Sequence, residues 1–172
     1  MTGGLDFDGV DDFLLATYGS TSSTNLYAFN VVATAPNSTI NQTFLGTRAT
    51  SGVYSGADAW FFKRRSGLNN ELSLSAGTTG VLLSPSPVTE SQAIFSAYSD
   101  GSTAKLYADG SELDSQSTSS VQTKDLIIGN RADLNPVWLD GQINEIIVYY
   151  SDQSATRTGI EDNINAHYNI YP

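Results

Sequence analysis

Cysteine is absent from all 172 residues, which excludes disulfides, thiolate metal sites and thiol nucleophiles. Histidine occurs once, as His167 in the C-terminal stretch, so a Ser-His-Asp triad would have a single imidazole to draw on; its position reads as an ordinary surface residue. Basic residues are scarce, 8 against 18 acidic, for a formal charge of −10. That field repels a phosphate backbone and argues against nucleic-acid binding. No run approaches the roughly 18 apolar residues that a membrane span needs. The chain also opens without the basic and apolar regions of a signal peptide, so an export signal would lie outside it or the route would be a different one. Phosphate loops, dinucleotide fingerprints and G-x-S-x-G elbows are missing as well.

What is present is a polar, β-rich chain. Apolar residues make up 40% and charged residues 15%, with Ser, Thr, Asn and Gly abundant. At this length one domain, 1–172, can bury a core without staples. The sequons at Asn37 and Asn41 are what chance provides in so Asn- and Thr-rich a sequence. Short apolar runs alternate with turn signals: "DFLLATY", "NLYAFNVVAT", "QTFLGTRA", "AWFFKRR", "ELSLSA", "DLIIGNR" and "QINEIIVYY". This spacing predicts an all-β sandwich or barrel.

Asp-Gly begins at Asp8, Asp100, Asp109 and Asp140, each time beside a strand-like run, and reads as hairpin turns. Around "SDGST", Ile94, Ser96 and Tyr98 alternate with Phe95 and Ala97, and Lys105 and Tyr107 with Leu106 and Ala108. Only the tail has helical periodicity, with Ile160, Ile164 and Tyr168 on one stripe. Asp152 or Ser154 is placed to cap it, and Gly159 inside it costs about 1 kcal/mol relative to Ala. In "QINEIIVYY", Ile143 shares a face with Glu145 and breaks the alternation. Either a bulge near Asn144 switches the face, or Glu145 is buried and satisfied there.

The segments "LDFDGVDDFL", "AKLYADGSEL", "DLIIGNR" and "WLDGQINEIIVYYSDQS", in that order and followed by a short helix, resemble the LamG-like, concanavalin A-like lectin and glucanase domains. The closing stretch looks like the copies found in bacteriophage virion proteins and bacterial surface proteins. The resemblance implies a two-sheet antiparallel jelly-roll sandwich with a short C-terminal helix and a place outside the cell or on a virion surface. It implies a non-catalytic recognition or adhesion module whose partner is a glycan or host-surface polysaccharide. The alternative is a structural virion or surface-layer component that binds other proteins, and a third reading is a carbohydrate-active enzyme. The family's first and last strands lie together, which would draw Asp6 and Asp8 towards Asp140, Asn144 and Glu145.

Retaining glucanases of this fold need two carboxylates about 5.5 Å apart, carried on a Glu-x-Asp-x-x-Glu strand. None of Glu71, Glu90, Glu112, Glu145 and Glu161 begins such a motif, so an enzyme is not expected. For sugar binding, "VYSGADAWFFKRRSGLNNEL" concentrates aromatic, basic and amide side chains. Its candidates are Tyr54, Trp60, Arg64 and Asn70, with packing of one aromatic face into the core as the competing role. Trp138 is either a packed loop anchor or a stacking platform. The acidic candidates for a structural Ca²⁺ are Asp6, Asp8, Asp140 and Glu145, with Asp11 and Asp12 nearby. Hard carboxylate oxygens at a turn suit that ion, and the same aspartates can instead bond turn amides.

Overall fold

Two six-stranded antiparallel sheets face one another. The computed structural model describes residues 3–17, 26–34, 41–48, 60–65, 71–76, 80–84, 91–118, 125–130 and 137–172. In chain order the strands are Leu5–Asp8 (β1), Leu14–Thr17 (β2), Leu26–Thr34 (β3), Gln42–Arg48 (β4), Trp60–Arg65 (β5) and Glu71–Ala76 (β6). They continue with Gly80–Leu83 (β7), Ala93–Ser99 (β8), Thr103–Ala108 (β9), Ser111–Ser117 (β10), Asp125–Ile128 (β11) and Asp140–Tyr149 (β12), and a helix, Arg157–Tyr168 (α1), closes the chain. One sheet runs β1-β12-β3-β8-β9-β10 and the other β2-β11-β4-β5-β6-β7. The predicted jelly-roll sandwich with a C-terminal helix is the fold observed.

The core lies between the sheets, where Phe44 of one sheet stacks on Phe95 of the other at 5.8 Å. Phe7, Leu45, Leu72, Leu74, Leu106 and Leu126 fill in around them, each 6% exposed or less. Burying a side chain of this size contributes about 1.5–3 kcal/mol, so the pair of sheets holds itself together chiefly through this layer. β8 is buried along its whole length because it serves two layers. Ala93, Phe95 and Ala97 enter the inter-sheet core, while Ile94 and Tyr98 meet Ile160, Ile164 and Tyr168 of α1 on the outer face. The helical stripe therefore packs where its periodicity placed it.

The hairpins at Asp100 and Asp109 form as expected. Asp109 and Gly110 make a two-residue turn between β9 and β10, with φ of 46° and 80°. The Asp8–Gly9 and Asp140–Gly141 expectations need correction, the latter because both residues lie inside β12, paired with Asp8 and Phe7 of β1. β1 and β2 belong to different sheets, so residues 9–13 are a corner rather than a hairpin. Gly9, at φ 75°, gives its N–H to Leu139 O, and Asp8 Oδ1 accepts from Val10 N; the chain is thereby turned across the flank. Phe7 then drops into the core over Gly129.

In β12 the register against β3 shifts at Asn144, so the bulge, not a buried Glu145, resolves the broken alternation. Ile143 joins the core before it and Ile146 and Val148 after it, while Glu145 is left half-buried on the outer face. Helix capping also departs from expectation. Thr156 occupies the N-cap without a side-chain cap, while Asp152 Oδ1 accepts from Ser154 N one turn earlier. The helix begins three residues after Ser154, which puts both predicted caps outside its first turn.

Candidate functional site

β1 and β12 pair antiparallel, setting Leu5 opposite Ile143, Asp6 opposite Gln142 and Asp8 opposite Asp140. The first and last strands thus meet as the resemblance implied. At the corner that follows, one carboxylate oxygen from each of Asp8, Asp11 and Asp12 lies within 4.8 Å of the others, all three residues exposed. Local bonding explains how they gather: Asp8 Oδ1 accepts from Val10 N at 2.8 Å, and Asp12 Oδ2 accepts from Asp8 N at 3.1 Å. Asp-based turns of this kind pull carboxylates inward over the backbone.

The expected acidic set is only partly together. Asp6 accepts from Gln142 Nε2 at 2.8 Å, and Asp140 faces Asp8 across the ladder. Glu145 lies past the bulge and next to Tyr168 of α1; burial first, and this carboxylate second, raise the Tyr168 pKa. Among the described residues, Asp6, Asp140 and Glu145 do not join the three-carboxylate group. Asp11 and Asp12 complete it instead, because a corner folds neighbours in sequence together more tightly than a ladder does.

Against this corner lies an apolar surface that the alternation of strands did not disclose. Leu5, Val10, Phe13, Leu14 and Leu15 are between 44% and 65% exposed. Phe13 and Trp138 sit 6.0 Å apart at a 37° tilt, and Trp138 is only partly buried, so it anchors against Phe13 at the rim of this surface. A shallow depression of about 100 Å³ is lined by Asp6, Phe7, Asp12 and Phe13. The signal in the sequence was the consecutive Leu14–Leu15 in a short strand, which leaves one leucine on each face.

Of the sugar-binding candidates, Tyr54 and Asn70 lie outside the described residues. Trp60 and Arg64 are the first and fifth positions of β5, pairing with Ala76 and Leu72 of β6. His167 is exposed on α1, with its ring edge-on to Tyr168 at 4.6 Å. A polar contact that sequence reading missed joins α1 to the sheet. Glu161, 1% exposed, accepts from Ser96 Oγ at 2.7 Å and pairs with Arg157, whose guanidinium lies 4.0 Å over the Tyr107 ring.

No family model and no curated protein sequence matches the chain. Solved structures do match its shape. The native heptameric SAP-like pentraxin from Limulus polyphemus aligns at a TM-score of 0.66, with 12% identity over 88% of this chain and 77% of that one. The CBM40 of Ruminococcus gnavus IT-sialidase, bound to α2,3-sialyllactose, aligns at 0.65 with 12% identity over 96% and 97%. Domains LG4-5 of the mouse laminin α1 chain align at 0.62 with 14% identity over 84% of this chain and 40% of that one. At such identities the likeness is one of fold: this chain shares the jelly-roll sandwich of these domains.

Proposed function

We propose that this protein is a non-catalytic glycan-recognition module that works outside the cell, on a bacterial or virion surface. The observation that carries the reading is the extent of the match to a carbohydrate-binding module, 96% of this chain on 97% of that one. The shared fold spans nearly the whole of a domain whose structure holds sialyllactose. Absence of the paired-carboxylate strand motif points the same way. The sugar contacts are assigned to Trp60 and Arg64 of β5, together with Tyr54 and Asn70. Aromatic stacking and charged hydrogen bonds would each contribute about 1–3 kcal/mol there.

The corner at Asp8, Asp11 and Asp12 is proposed as a structural Ca²⁺ site, with Asp6 and Asp140 adding to the negative field. Three exposed carboxylates gathered at one corner fit a hard cation of flexible geometry. A glycan array of sialylated, neutral and bacterial surface polysaccharides, run with calcium and with EDTA, tests the function. Saturable binding to a defined glycan is expected, weakened about tenfold or more by Trp60→Ala without loss of the fold. Binding to no glycan under either condition, or unfolding of Trp60→Ala, removes the site assignment.

A further inference from the structure

We infer that the flank formed by β1 and β2 docks an extended, basic segment of another protein, which adds to the β2 edge. β1 ends one sheet and β2 ends the other, and a five-residue corner keeps the two edges on the same flank. At the opposite flank the terminal strands β7 and β10 are packed on one another. β2 pairs only with β11 among the described residues, so no described strand covers its outer backbone groups. The exposed large apolar residues of the described chain fall on these two strands and their corner. An exposed apolar edge is an aggregation hazard unless something covers it, and besides keeping edge strands short, as β2 is, natural proteins blunt them with Lys, Pro or a bulge. β2, "LLAT", has none of these.

Chemistry selects the occupant. Four of the five exposed residues are aliphatic, and Leu14 and Leu15 present one side chain on each face of the strand, the pattern that an added strand covers on both sides. Sugar rings favour aromatic faces, so this surface suits a polypeptide better. Residues 5–17 carry four aspartates and no lysine or arginine, and Asp140 stands opposite Asp8. A second copy of the chain docking the same flank would set aspartates against aspartates. A segment with an apolar centre and Lys or Arg at its ends is complementary on both counts. This flank is separate from β5, so the glycan reading can fail without affecting it.

The test uses a capped peptide, Lys-Lys-Val-Ile-Val-Ile-Val-Lys-Lys, with two comparators: Glu in place of Lys, and N-methylation at alternate central residues. Binding is followed in EDTA by anisotropy and by the amide shifts of residues 14–17. The lysine peptide is expected to bind and to move those amides. Its affinity should fall about tenfold between roughly 50 and 500 mM salt. The pair Asp11→Asn and Asp12→Asn should weaken it by roughly tenfold, and Leu14→Ser with Leu15→Ser should abolish it. The mutated leucines are solvent-exposed, so the variant's far-UV circular dichroism should match the parent. No binding of the lysine peptide, or equal binding of either comparator, overturns the proposal. So does a micromolar homodimer that the serine variant dissolves, since the occupant would then be a second copy.

Discussion

Gly129 shows how much one position can hold. Its φ of 83° is left-handed, and a Cβ built there would intrude on the Phe7 ring, which is itself core. Gly129→Ala should therefore cost about 2–4 kcal/mol, read as a lower urea midpoint with an unchanged slope. Replacing Phe7 with Leu in the same chain should relieve the clash but not the backbone strain. Asp100 carries a pH signature. Burial opposes its ionisation, but the amides of Thr103 and Ser102 and the hydroxyls of Ser102 and Tyr98 outweigh it and hold the carboxyl at about 2. A depressed folded pKa means stability present above the unfolded value near 4 and lost as pH falls towards 2. Asp100→Asn should flatten the melting temperature against pH in that window and leave it sloping elsewhere. Asp109 works in the opposite sense: burial raises its pKa against the Ile94 amide bond, so its contribution weakens as pH rises through the folded value.

At the scale of elements, α1 depends on tertiary contacts for its stability. It lacks a side-chain N-cap, has no acidic residue in its first turn and contains Gly159, features that leave an isolated twelve-residue helix marginal. The apolar stripe on Ile94 and Tyr98 and the Glu161–Ser96–Arg157 contact hold it to β8. Glu161→Ala leaves Ser96 and Arg157 without that partner and should cost about 2–4 kcal/mol in urea unfolding. Glu161→Gln keeps an acceptor for Ser96, so its loss should be about half as large. A smaller effect of Ala than of Gln would show that the pair is not what anchors the helix. The C-terminal end is better specified: Asn169 adopts a left-handed φ of 53°, and Asn165 Oδ1 accepts from Ile170 N and Tyr171 N.

For the molecule as a whole, two proposals are open to direct measurement. Calcium bound only by the folded corner would raise stability by RT ln(1 + [L]/Kd), about 2.7 kcal/mol at a hundredfold excess over Kd. A higher melting midpoint in millimolar calcium than in EDTA is expected, and it should vanish in Asp11→Asn with Asp12→Asn. Identical midpoints would leave the aspartates as turn formers. No reducing ends or unsaturated products should appear from a broad polysaccharide panel, and their measurable release would restore the enzyme reading. Much of the architecture could be read from the sequence because it is local. The alternation in β8 and β9, the turns at Asp100 and Asp109, and the Ile160–Ile164–Tyr168 stripe all follow from periods of two and 3.6 residues. Even the β12 bulge was visible as a break in that period. Only the tertiary structure decided which sheet each strand joins. Nothing local in "LDFDGVDDFL" distinguishes a hairpin from a corner, since both use the same Asp-Gly geometry. That choice, made by Phe7 seeking the core over Gly129, gathers Asp8 with Asp11 and Asp12 and leaves Glu145 behind. It also turns Leu14 and Leu15 outward, because the exposure of an edge depends on its neighbours in space and not in sequence.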